Sequence, residues 1–301
     1  MAILASVSLE SSRTCKADNL EKIEGYVHQA ASQNADLVVF PEFALTGLPT
    51  QPLQVLDPND CAYQHEVAEL IPEGPSVQHL INLARELNIH IVWGMAEQSP
   101  DRFDVLYNTV VLVGPDGYIG KHRKAHQALT ERLMFYPGAG SYPVFDTSIG
   151  RIGMLVCYEK AFPETARLLA TKGAQIIVCP TAWPSIKQCE DDPDYKAGHV
   201  FAYARALENM VVFVEAVQGG PEDMGHSRIL GPHAMQTFAT TGFGEGMAVT
   251  EVDVEREILH ARLFAMGGSD LLKDRKPELY RNLCEPNPYC QSVVPYDPKE
   301  D

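Results

Sequence analysis

The chain has 301 residues, 45% of them hydrophobic and 21% charged, enough apolar mass to bury a sizeable core in one large domain or two ordinary ones. Its formal net charge of −16 argues against a surface built for nucleic acid or an anionic membrane, since both attract clustered positive charge. The seven cysteines (15, 61, 157, 179, 189, 284 and 290) have no CxxC spacing and fit neither a disulfide framework nor a zinc site, so reduced thiols in a cytoplasmic protein with a small-molecule substrate are expected.

The N-terminal stretch has no basic segment ahead of its short apolar run, so Ile3 to Leu9 reads as a first strand rather than a signal peptide. A helix follows over about Asp18 to Asn34, with Leu20, Ile23, Val27 and Ala30 on one face. The continuous apolar run Ala35 to Phe40 is a strand covered on both sides, and it ends at Pro41-Glu42. Gly47 to His65 reads as loop. A second helix spans about Pro75 to Asn88, then strands His90 to Trp93 and Tyr107 to Val113, and a turn at Gly114-Pro115-Asp116-Gly117. Beyond it lies a stretch rich in reactive side chains: Lys121-His122-Arg123-Lys124, then Thr130-Glu131-Arg132, then Pro137-Gly138.

Gly153 to Val156 is a buried strand that stops at Cys157, and a helix opens at Pro163, where a missing N–H costs nothing. The second half then repeats the first in outline. Ala174 to Thr181 echoes Ala35 to Glu42, Asn209 to Val214 echoes Asn88 to Trp93, and Gly231-Pro232 echoes Gly114-Pro115. Helices over about Pro163 to Lys172 and His199 to Glu208 precede the two echoes. The echo of Phe40 assigns Cys179 to the core. Two similar halves of alternating strands and helices predict an α/β fold with two sheets face to face and helices outside, one domain over residues 1–266 with internal pseudo-two-fold symmetry. The last stretch, 267–301, is polar and Pro-rich but carries Tyr280, Tyr289 and Tyr296, and is expected to pack against a partner subunit.

Three strand ends therefore carry polar residues that apolar packing leaves unexplained: Glu42, Lys124 and Cys157. Together they form an acyl-transfer set of general base, cation for an oxyanion, and thiol. A thiol at a strand-to-helix junction is held on a stiff element beside backbone N–H groups. The acidic run Glu190 to Asp194 reads as a solvated loop.

These residues carry a resemblance to the nitrilase superfamily of carbon–nitrogen hydrolases. Its catalytic glutamate motif is similar to Leu37-Val38-Val39-Phe40-Pro41-Glu42, its lysine motif to Arg123-Lys124-Ala125-His126, and its cysteine motif to Gly153-Met154-Leu155-Val156-Cys157-Tyr158-Glu159. A second glutamate of the family, which positions substrate and lysine, matches Glu131. Glu159 stands where relatives more often carry aspartate, and is expected to support the local turn. Thr181 precedes Ala182-Trp183-Pro184 where many relatives have asparagine. The resemblance implies a four-layer α-β-β-α sandwich that pairs into a homodimer or higher homo-oligomer. It also implies hydrolysis through a Cys157 thioester without metal or cofactor, with Tyr158 and Trp183 lining the substrate pocket. Tyr158 after the cysteine looks like the amidase branch, whereas Thr130-Glu131-Arg132-Leu133 is similar to the nitrilase version. An amidase is expected; a nitrilase, an N-carbamoyl amide hydrolase, an acyltransferase and a non-catalytic binding module are the alternatives.

Overall fold

Apolar strands that alternate with amphipathic helices must be covered on both faces, and the chain meets this requirement by doubling one arrangement. A computed structural model describes residues 1–49, 58–185, 189–233, 235–264 and 267–284. The first half comprises β1 (Ala2–Ser8), α1 (Lys16–Ser32), β2 (Leu37–Val39), α2 (Pro58–Val67), α3 (Pro75–Leu87), β3 (His90–Gln98), β4 (Leu106–Gly114) and β5 (Gly117–Arg123). The second comprises β6 (Val144–Thr147), β7 (Gly150–Met154), α4 (Pro163–Thr171), β8 (Ile176–Thr181), α5 (Pro193–Asn209), β9 (Val212–Val217), β10 (Arg228–Leu230) and β11 (Thr237–Thr240). β12 (Gly246–Val252) returns to the first sheet, and α6 (Val254–Leu263) follows.

One sheet runs β12-β1-β2-β3-β4-β5 and the other β6-β7-β8-β9-β10-β11. In each, the second, third and fourth strands are parallel and the flanking ones antiparallel. The echoes read in the sequence thus correspond strand for strand: β2 to β8, β3 to β9, and the β4–β5 turn to the β10–β11 turn. Between the sheets lie Leu4, Leu37, Val39, Val92, Val110, Leu112 and their counterparts Ile152, Met154, Ile176, Val178, Val212, Val214. On one outer face Ile23 and Val27 of α1 and Val77, Leu80 and Ile81 of α3 cover Val38, Ile91 and Trp93. On the other, Ala166 and Leu169 of α4 and Ala202 and Ala206 of α5 cover Ile177, Cys179 and Phe213. Three apolar seams join four layers, an α-β-β-α sandwich, and Cys179 sits in the seam expected for it.

Three segments depart from the expectation. The stretch read as loop up to His65 contains α2, whose helical pattern is masked because its inward residues include Gln64, which donates to the carbonyls of Thr46 and Gly47 at 3.2 and 3.0 Å. α5 begins at Pro193, six residues before the expected start, because Asp192 caps it by accepting from the Asp194 N–H at 3.0 Å. The acidic run there is therefore a helix start and not merely a solvated loop. β5 is a strand despite its polar sequence, because Lys121 and Arg123 both reach the buried Glu97 carboxylate of β3, at 2.6 and 2.7 Å. Of the C-terminal stretch, Leu279, Tyr280 and Leu283 are exposed, while Tyr289 and Tyr296 lie outside the described residues. Among the described residues, no helix is long and apolar enough to cross a membrane.

Candidate active site

Glu42 follows β2 on a turn where the next residue, Phe43, takes the left-handed φ of +55°. The turn is pressed onto β3 at Gly94, where a Cβ would lie 2.6 Å from the Phe43 nitrogen and 2.7 Å from the Glu42 Cα, so only glycine admits it. The Glu42 side chain is fully buried with both oxygens engaged. Oε1 accepts from Lys124 Nζ at 2.8 Å and Asn108 Nδ2 at 2.7 Å, and Oε2 from the Ala182 N–H at 3.0 Å. The Glu42 carbonyl accepts from Gln218 Nε2 at 2.8 Å.

Lys124 emerges from the end of β5, with its N–H bonded to the Asn108 carbonyl at 2.8 Å. Its ammonium also donates to both oxygens of Glu131, at 3.0 and 2.7 Å. Glu131 belongs to a 3₁₀ turn over Leu129–Leu133. Burial alone would draw the lysine down, but Glu131 and Glu42 outweigh it and hold it well above its ordinary value. Burial pushes the Glu131 carboxyl up to about 7, against the pull of Lys124.

Cys157 opens a 3₁₀ turn over Cys157–Ala161 and has a φ of +45°, a left-handed conformation that costs a non-glycine residue about 1 kcal/mol or more. The sharp turn aims the side chain off the strand end into a cleft, although only 4% of the residue is exposed. Burial, with Glu42 adding to it, raises the thiol well above its ordinary value; Lys124 and Lys160 only partly offset this. The resting group is therefore a thiol, and it needs a base when it reacts.

One buried carboxylate joins the lysine and cysteine arms. Glu159 Oε1 accepts from the Ala125 N–H at 2.8 Å and the Tyr142 hydroxyl at 2.9 Å, and Oε2 from His122 Nε2 at 2.8 Å and the Val156 N–H at 2.9 Å. Glu159 supports the turn as expected, and it also ties that turn to the residue after Lys124. His122 and these donors overcome burial and hold its carboxyl far below the ordinary carboxylate range.

The cleft has a volume of about 390 Å³. Cys157, Glu131, Tyr158 and Trp183 all face it, joined by Phe43 and Arg132. Four of the six residues singled out in the sequence thus line one cleft, and the fully buried Lys124 and Glu42 join them through the bonds from Lys124 to Glu131 and Glu42. Sequence reasoning missed Asn108, Gln218 and Lys160. The signal available for Asn108 was a polar residue in the otherwise apolar run of β4.

Comparison with known proteins places the chain in a family. A profile described as carbon-nitrogen hydrolase matches residues 3–259. A nitrilase of Pyrococcus abyssi is 35% identical over 272 residues, covering 87% of this chain and 92% of its own. The omega-amidase NIT2-B of Xenopus laevis is 30% identical over 256 residues, covering 80% and 84%. Among solved structures, Saccharomyces cerevisiae Nit3, a member of branch 10 of the nitrilase superfamily, superposes with a TM-score of 0.74 at 27% identity, over 87% of this chain and 93% of its own. With a match that runs from β1 into α6 and relatives aligned over most of their length, the chain belongs to the carbon-nitrogen hydrolase family of the nitrilase superfamily, enzymes that hydrolyse carbon–nitrogen bonds other than peptide bonds.

Proposed function

We propose that the protein is a thiol amidase that hydrolyses a small amide through a covalent thioester on Cys157. The observation that carries this reading is the Cys157 thiol on a left-handed turn facing the cleft, together with a buried carboxylate whose oxygens are already aligned by Lys124, Asn108 and the Ala182 N–H. Glu42 takes the thiol proton as sulfur attacks the carbonyl carbon; the carbon–sulfur bond forms and the π electrons pass to oxygen. The Lys124 ammonium and the backbone N–H of Tyr158 receive that oxyanion. On collapse the carbon–nitrogen bond breaks, and the leaving nitrogen collects the proton from Glu42. A water deprotonated by Glu42 then attacks the thioester, releasing the carboxylic acid and returning the proton to sulfur. Glu131 holds Lys124 charged and points it at the reacting oxygen. Tyr158 and Trp183 form the walls that hold the acyl group, and the reaction routes no step through a metal or organic cofactor.

A nitrilase is the second reading, favoured by the Thr130-Glu131-Arg132-Leu133 sequence and by the relative from Pyrococcus abyssi named a nitrilase. The two share the first attack. Ammonia release from short aliphatic amides, aromatic amides, N-carbamoyl amino acids and the matching nitriles separates them, with Cys157→Ala as control. Release from amides, abolished in the control and accompanied by an acyl adduct on the Cys157 peptide of the unaltered protein, is the expected result. Faster release from nitriles selects the second reading, and activity that survives the control removes Cys157 from the mechanism. The pairing of two protomers through residues 267–301 belongs to the same reading.

A further inference from the structure

Lys160 is fully buried three residues beyond Cys157 on the same turn, and the mechanism above leaves it without a task. Its carbonyl accepts from Arg205 Nε at 2.7 Å, which fixes the backbone there. Its ammonium is paired with Glu215 of β9 and lies 4.4 Å from the centroid of the Trp183 ring. Glu215 is shared: Oε2 is 3.1 Å from Arg228 Nε, and Thr181 Oγ1 donates to Oε1 at 3.3 Å. The two cations overcome the burial of Glu215 and hold its carboxyl below the ordinary range. Two cations on one carboxylate leave a net charge of +1 in the buried interior, where charge acts over longer distances than in water.

That charge sits behind a wall of the cleft. Trp183 faces the cleft and Lys160 does not. The indole is held on its other sides by a bond from Nε1 to the Asp194 carbonyl at 2.9 Å, by the edge of Phe201 at 5.9 Å, and by Gly198, where a Cβ would come within 3.1 Å of the ring. A cation against one face of an indole uses the negative potential of the π system, so a second cation on the cleft side loses its attraction and also meets the buried positive charge. Arg132 and Asp194 add a cation and an anion to the same cleft from exposed positions where water screens both, and Glu131, the largely buried carboxylate on the cleft, is paired with the Lys124 ammonium.

We propose that Lys160 is a positioning and selectivity residue, which fixes Trp183 as a wall and makes the cleft favour neutral and anionic acyl groups over cationic ones. The inference rests on the thiol-hydrolase reading only in taking this cleft as the place where the acyl group sits.

The test uses three methanethiosulfonate reagents that differ in charge: methyl, 2-sulfonatoethyl and 2-(trimethylammonio)ethyl. Each forms a mixed disulfide with the thiol and releases methanesulfinate, and mass spectrometry of the Cys157 peptide gives the rate. Ratios at one thiol, normalised to a free thiol in solution, cancel any change in thiolate fraction. The wild type is expected to favour the anionic over the cationic reagent by about tenfold. Lys160→Met and Lys160→Gln should bring that ratio close to one, and Lys160→Arg should restore it. The glutamine variant can still donate to Glu215 and so protects the test against misfolding. A wild type without preference, a ratio unchanged in both neutral variants, or a parallel slowing of all three reagents would overturn the proposal. Amide hydrolysis measured on the same samples keeps the two readings apart: a charge preference without amidase activity refutes the proposed function alone, and activity without the preference refutes this inference alone.

Discussion

Glu159→Gln tests whether one ionised carboxylate holds the lysine and cysteine arms together. Each Glu159 oxygen accepts two hydrogen bonds, so an amide of the same size turns its NH₂ group toward two donors whichever way it is placed. Hydrogen bonds to a buried charge contribute about 1.5–3 kcal/mol each, so losing two costs about 3–6 kcal/mol. That is a large share of a typical total stability of about 5–15 kcal/mol. Urea unfolding at pH 7 should show the loss directly. Because the folded protein holds this carboxyl below its ordinary range, its stabilisation is present above that range and disappears as the pH falls through it and below. The gap between wild type and variant should therefore narrow steadily from about pH 6 to about pH 3. Ala125 follows Lys124 and Val156 precedes Cys157, so released arms should also lower kcat by about a hundredfold with much less change in KM. A variant with the wild-type urea midpoint, or a gap that stays constant on acidification, would refute the ionised clamp.

Asn108→Leu removes a 2.7 Å bond to the proposed base and should lower kcat/KM by about 10- to 100-fold, with the urea midpoint reporting separately on stability. Glu131, raised to about 7, is protonated at pH 5 and ionised at pH 9, so kcat/KM should climb through a midpoint near pH 7 as it ionises and locks Lys124. Glu131→Gln should abolish that limb and lower the plateau; a wild-type profile flat from pH 6 to 8 would remove the role. Deleting the residues after Gly267 takes away the exposed Leu279, Tyr280 and Leu283 and should weaken self-association in sedimentation, so a truncated protein that stays dimeric counts against the tail as a contact.

The sequence made the doubled fold legible because buried strands carry unmistakable apolar runs, and Ala35–Glu42 and Ala174–Thr181 share one down to the proline. Glu42 and Cys157 were legible because each interrupts that apolar grammar at a strand end, and Lys124 because it lies beyond the turn after β4 in a motif that resembles the family's. β5 was not, since it is an edge strand whose outward charges are satisfied by Glu97 two strands away. Asn108 and Gln218 meet Glu42 across 66 and 176 residues, and no local rule links such positions. Lys160 carries no local signal of burial in the sequence, and only the fold reveals that Glu215, 55 residues on, receives it in the interior.

The correspondence between the halves has one more consequence. Glu42 at the end of β2 has Thr181 as its counterpart at the end of β8, and the very next residue there, Ala182, offers its N–H to the Glu42 carboxylate. The duplicated scaffold thus provides more strand ends than the chemistry occupies. Those of the first half, with Cys157, hold the proposed reactive groups, and the one after β8 is left to carry Trp183. A protein organised this way can change what it admits by altering the spare ends while the reacting set stays untouched. Its history of specificity should be written in the loop after β8, and its history of reaction type in the turns after β2, β5 and β7.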